Sequence, residues 1–93
     1  MDSFNLENNY PNPFNPTTTI GYSLPGDGYV RIAISDILGQ EIRSLVSEFK
    51  SAGHHHIMWN GLDNDGLQVT SGVYFYTLTT EKYSDTSKLL LIR

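Results

Sequence analysis

The sequence predicts an all-β fold, an antiparallel β-sandwich of about seven short strands. Apolar residues recur with period 2 along much of the chain, and no stretch keeps a convincing period of 3.6. Clusters of Gly, Pro, Asp and Asn interrupt these stretches every 8–12 residues or so, as in sandwiches. With 93 residues there is room for one domain whose core needs no covalent staples, and cysteine is absent.

The elements follow in order. In Thr17 to Leu24, Ile20, Tyr22 and Leu24 share one face, opposite Thr19, Gly21 and Ser23. Pro25-Gly26-Asp27-Gly28 is a turn, because proline presets φ and glycine accepts φ > 0. Tyr29 to Ser35 places Val30, Ile32 and Ile34 inward, with Arg31 and Ser35 outward. After the Asp36–Gly39 turn, a shorter strand from Gln40 to Val46 centres on Ile42, and its Leu45-Val46 end is compatible with one helical turn. Ser51-Ala52-Gly53 breaks the chain, and His54 to Asn60 then aligns His55, Ile57 and Trp59. A polar, glycine-studded loop spans Gly61 to Gly72. Val73 to Thr79 is aromatic and β-branched on both faces, the composition of a central strand. Glu81 to Asp85 is a polar turn, and Thr86 to Ile92 is the last strand. Trp59 is expected in the core, and Gly72 is expected at positive φ, where the loop swings into the aromatic strand.

Composition excludes several functions. The formal net charge is −4 with only six Lys and Arg, too few to track a nucleic-acid backbone or an anionic membrane. No apolar run approaches the ~20 residues of a membrane-spanning helix. Asp2, Asn5 and Glu7 interrupt any signal-peptide-like start. Cysteine nucleophiles and thiolate zinc sites are ruled out.

Candidate chemistry is sparse. His54 and His56 share one strand face and His55 takes the other, so the triplet offers two adjacent imidazoles where a stable metal site wants three or four ligands. Asp63-Asn64-Asp65-Gly66 resembles part of a calcium loop. With Gly66 at the sixth position, however, Gly61 and Gly72 stand where the first and twelfth need carboxylates, which leaves a tight turn. No nucleophile elbow or phosphate-cradling loop occurs. Lys50, Lys82 and Lys88 sit in polar contexts, unsuited to a buried isopeptide crosslink. The sequence therefore predicts no catalytic, cofactor or metal residues.

The leader is more informative. Residues preceding Pro11, Pro13 and Pro16 are driven toward extended conformations, and the prolines have no N–H. Residues 1–16 are expected as a leader packed on the domain of residues 17–93, and its proline segment as a stiff extended stretch unable to join a sheet as a regular strand, with Tyr10 and Phe14 as pins. Such a leader covers a sheet edge. Pro13-Phe14-Asn15-Pro16 is a weak match to a P-x-x-P ligand.

Several landmarks, in this order and spacing, carry a specific resemblance. They are Asn12-Pro13-Phe14-Asn15-Pro16 with the following threonines, Ser35 to Glu41, Trp59 to Gly66, Ser71 to Tyr76, and Lys88-Leu89-Leu90-Leu91-Ile92-Arg93. Over Asn9 to Arg93 the chain resembles the type A C-terminal sorting domain of type IX secretion cargo. Trp59 to Tyr76 is also similar to the Ig-like domain of flagellar hook-capping proteins. The resemblance implies an Ig-like sandwich at the C-terminus of secreted proteins of Bacteroidetes. It implies recognition by an outer-membrane translocon, a sortase-like peptidase as second partner, an N-terminally fused cargo, and delivery through the periplasm to the cell surface. The residues it nominates for recognition are Asn12, Pro13, Phe14, Asn15, Pro16, Lys88, Leu89, Leu90, Leu91, Ile92 and Arg93. Trp59, Gly61, Asp63, Asp65, Gly66, Gly72 and Tyr74 are expected to be structural. His54 to His56 departs from the family pattern. A structural assembly module of the hook-capping type and a calcium- or carbohydrate-binding accessory domain stand as alternatives.

Overall fold

The computed structural model describes residues 4–13 and 17–92. Seven strands form two antiparallel sheets: β1 (Asn5–Leu6), β2 (Thr18–Leu24), β3 (Gly28–Ser35), β4 (Glu41–Lys50), β5 (Gly53–Trp59), β6 (Gly72–Thr79) and β7 (Ser84–Leu91). One sheet runs β1-β2-β5 and the other β4-β3-β6-β7. The architecture is the antiparallel sandwich that the periodicity predicts, in the Ig-like form that the resemblance implies.

The core lies where the alternation puts it. Ile20, Tyr22, Leu24, Val30, Ile32, Ile34, Trp59, Tyr76, Leu78, Leu89 and Leu91 are all essentially inaccessible, and most of their strand neighbours face outward or are half-buried, the small residues Gly21 and Ala33 being buried as well. β6 is a central strand, paired to β3 on one side and β7 on the other. Burial pushes the Tyr22 and Tyr76 phenols above their ordinary value of 10.0, because an ionised phenolate loses its hydration there.

Two expectations are corrected. The strand after the Asp36 turn is neither short nor followed by a helical turn: β4 runs ten residues, from Glu41 to Lys50. Its register against β3 shifts twice, so that Ile42 and Leu45 are each an extra residue in the ladder. Each bulge resets the inward phase, so Ile42, Leu45 and Val46 all contact the core although no period of 2 links them. In the leader, the Tyr10 side chain is 81% exposed and pins nothing; its main chain pairs with Thr19 instead. Asn5 and Leu6 pair with Ser23 and Tyr22 as a short strand, and Leu6 enters the core. These residues precede the prolines, so their N–H groups are free to pair. Pro11 to Pro13 form a bend, and the peptide bonds before Pro11 and Pro13 are cis.

Candidate functional site

The leader and the terminal strand meet at one end of the sandwich. Glu7 N–H donates to Gly21 O at 2.9 Å, and Tyr10 and Thr19 exchange two main-chain bonds of 2.9 and 2.8 Å. Past Tyr10 the chain is turned by a polar clasp. Asn9, 4% exposed, donates through Nδ2 to Thr18 Oγ1 at 2.9 Å and to Pro11 O at 3.2 Å. The Thr18 hydroxyl donates to the same carbonyl at 2.9 Å. The turn brings Asn12 to β7, where its Oδ1 accepts the Leu90 N–H at 3.0 Å. Asn8 to Pro13 and Lys88 line one open cleft. From the opposite sheet the Tyr76 hydroxyl donates to Glu7 O at 2.7 Å. The leader thus ties the outer side of β2 to the outer side of β7.

Of the residues nominated for recognition, Asn12, Pro13 and Lys88 come together here. Leu89 and Leu91 are fully buried core, whereas Leu90 and Ile92 are exposed. Phe14, Asn15, Pro16 and Arg93 lie outside the described residues. Asn9 is the residue that the sequence reading missed. Its signal is faint: a polar side chain placed before a cluster of prolines whose carbonyls need donors.

The structural nominees meet around the loop between β5 and β6. Trp59 is inaccessible; its indole N–H donates to Leu62 O at 2.9 Å, and its ring meets the edge of Tyr74 at 5.7 Å between centroids. The loop therefore gives Trp59 a hydrogen bond, and it also sends Val69 against the core. Gly61 is buried at φ 78°, and Gly72 lies at φ 155°. The Tyr74 hydroxyl donates to Thr70 O at 2.6 Å.

The Asp63 loop is a self-satisfied turn. Asp63 Oδ1 accepts the N–H groups of Asp65 and Leu67 at 2.9 and 3.0 Å, and Gly66 N–H returns to Asp63 O at 3.1 Å. The β3–β4 turn repeats the device. Asp36 Oδ1 accepts from Leu38 and Gln40 at 2.9 and 3.0 Å, and Gly39 returns to Asp36 O at 3.0 Å. In both turns the glycine sits at left-handed φ, 81° for Gly66 and 83° for Gly39. One carboxylate oxygen of Asp63 is thereby committed to the backbone. Asp65 is exposed, with its N–H used in the turn.

His54 and His56 project from the solvent side of β5, as the alternation predicts. His54 Nε2 meets Glu7 Oε2 at 2.8 Å. His55 lies on the other face, stacked on Tyr22 with ring centroids 5.4 Å apart. Among the described residues no group of three or more His, Asp or Glu is placed to hold a metal ion.

Comparison with known proteins agrees with this architecture. No curated protein matches the chain. Among solved structures, dimeric latent PorU from Porphyromonas gingivalis superimposes over 99% of this chain and 10% of its own, with a TM-score of 0.76 and 17% identity. PorZ, an essential bacterial surface component of the type IX secretion system of the same organism, superimposes over 97% of this chain and 11% of its own, with a TM-score of 0.62 and 25% identity. The chain thus spans about a tenth of either protein. The family model of the FlgD Ig-like domain matches residues 14–84, which hold β2 to β6 and both Asp-anchored turns. The chain belongs to the FlgD Ig-like domain family.

Proposed function

We propose that the chain is a non-catalytic secretion and sorting module of the type A C-terminal class. It directs a cargo fused to its N-terminal side through the outer-membrane type IX translocon to the cell surface. Its partners are the translocon, a sortase-like peptidase and the cargo itself; its route runs through the periplasm of a Gram-negative bacterium. It needs no cofactor. The observation that carries this reading is the junction of leader and terminal strand: Asn12 holds Leu90, and Lys88 lines the same cleft. Asn12 and Pro13 of one nominated segment and Lys88 of the other thus line one surface. The likeness to PorZ supports the same system.

The test separates address from folding. Lys88 is exposed on β7. Replacing Lys88 and Arg93 with alanine is expected to change stability by no more than ~0.5 kcal/mol. Fused behind a reporter in a bacterium with type IX secretion, the folded double variant is expected to leave the reporter in the periplasm, whereas the unaltered domain exports it. If the unaltered domain fails to export a reporter in a host that exports other type A cargo, the sorting function is wrong.

The family match favours one second reading, a structural module that assembles with other copies as hook-capping domains do. Association of the isolated chain at micromolar concentration, measured by analytical ultracentrifugation, would support it.

A further inference from the structure

We propose that the free edge of β5 is a strand-addition site for an extended, uncharged and alternately apolar segment of a partner polypeptide. This stands apart from the sorting function, because it comes from how the sandwich treats its edges.

Every other edge among the described residues is protected. The outer side of β2 is occupied by β1, Glu7 and Tyr10. β7 carries Asp85 and Lys88 and gives its Leu90 N–H to Asn12. β4 has two bulges and carries Glu48 and Lys50, and its first half is sealed by Asn64, which bonds Ile42 O and Ser44 N–H at 2.9 and 3.0 Å. These are the devices that stop edge-to-edge pairing. β5 has none of them. It pairs with β2 in unbroken register along Gly53 to Trp59 and contains no proline, lysine, carboxylate or bulge. Among the described residues, none of its main-chain groups from Gly53 to Met58 bonds anything but β2.

The layers also show what is missing. β1 lies against β7 and β5 against β4 at the two margins, so three strands face four and the three-stranded sheet stops short above β4. Ile42 and Leu45 of β4 and Ile57 of β5 pack against the core yet remain only half-buried. A strand beside β5 would complete that sheet, and its inward side chains would cover these residues. A second copy of the chain does not fit. Its own β5 already faces its own core, and its β4 lies beneath the position to be filled. A second copy's β5, with its inward side chains kept in its own core, would also leave Ile42, Leu45 and Ile57 uncovered.

The probe is a synthetic peptide of alternating threonine and valine with a lysine at each end, titrated into the 93-residue chain and followed by amide NMR. Binding is expected to shift Ile57, Ile42 and Leu45 saturably. It should slow hydrogen exchange about tenfold or more at the outward amides of β5, which are alternate residues between Gly53 and Met58. The same peptide N-methylated at alternate amides is expected not to bind. No saturable shift at millimolar peptide, equal binding of the methylated peptide, or protection centred on β7 would each overturn strand addition at β5. So would protection of the same amides by self-association without peptide, which would assign the edge to a second copy.

Discussion

At the scale of single residues, two positions show how little freedom the fold leaves. Trp59 combines complete burial, an indole hydrogen bond to Leu62 O and an edge contact with Tyr74. Trp59→Ala removes the largest side chain of the core and leaves the Leu62 carbonyl without that donor. It is expected to cost ~3–5 kcal/mol in urea denaturation. A loss below ~1 kcal/mol would show that the site collapses around the void. Gly72 is limited by backbone instead of volume: a Cβ there would meet no atom within 4 Å, but φ is 155°. Space alone would allow valine, whereas the dihedral does not. Gly72→Val is therefore expected to destabilise by more than the ~1 kcal/mol of a propensity effect, measured by the same denaturation. A neutral outcome would mean that the β6 entrance relaxes to an ordinary strand conformation.

At the scale of elements, the four-stranded sheet is closed at both margins by asparagine. Asn64 Oδ1 takes the Ser44 N–H of β4, and Asn12 Oδ1 takes the Leu90 N–H of β7. An amide oxygen can satisfy an edge donor without offering a continuing ladder, so the edge is quenched without being extended. Asn12→Ala is expected to accelerate hydrogen exchange at Leu90 severalfold while costing no more than about 1 kcal/mol of global stability. Unchanged exchange at Leu90 would show that the leader contact is not maintained in solution. The same scale explains β4. Its bulges at Ile42 and Leu45 erase the alternation that identifies the other strands, and so a short strand with a helical end was the natural expectation from sequence.

At the scale of the whole molecule, the leader joins the two sheets by main-chain pairing to β2, the Asn9 clasp, the Tyr76 bond to Glu7 O and the Asn12 bond to β7. The buried tyrosines then set the behaviour at high pH. Desolvation holds the Tyr22 and Tyr76 phenols above 10.0, so the folded state keeps protons that the unfolded chain releases. The stability they contribute is fully present below about pH 10 and is lost as pH rises through the raised folded values. Thermal unfolding between pH 9 and 12 is expected to show Tm falling above pH 10. Tyr76→Phe, which also loses the bond to Glu7, is expected to lower Tm at neutral pH and to flatten that fall. An unchanged alkaline slope in the variant would assign the fall to other groups.

The sequence by itself determined the sheet class, the inward faces of β2, β3 and β5, the turns at Pro25–Gly28 and Asp36–Gly39, and the burial of Trp59. Each of these follows from local rules, the period of 2 along a strand and the φ preferences of Pro and Gly. Only the tertiary structure decided that Asn5–Leu6 is a strand, that Asn9 and Thr18 clasp the Pro11 carbonyl, that Asn12 caps β7 and that β5 has a bare edge. Asn12 and Leu90 are 78 residues apart in sequence. Which hydrogen-bonding groups remain for such a contact depends on how strands are ordered within the sheets, and side-chain alternation records the face of a strand but not its neighbours.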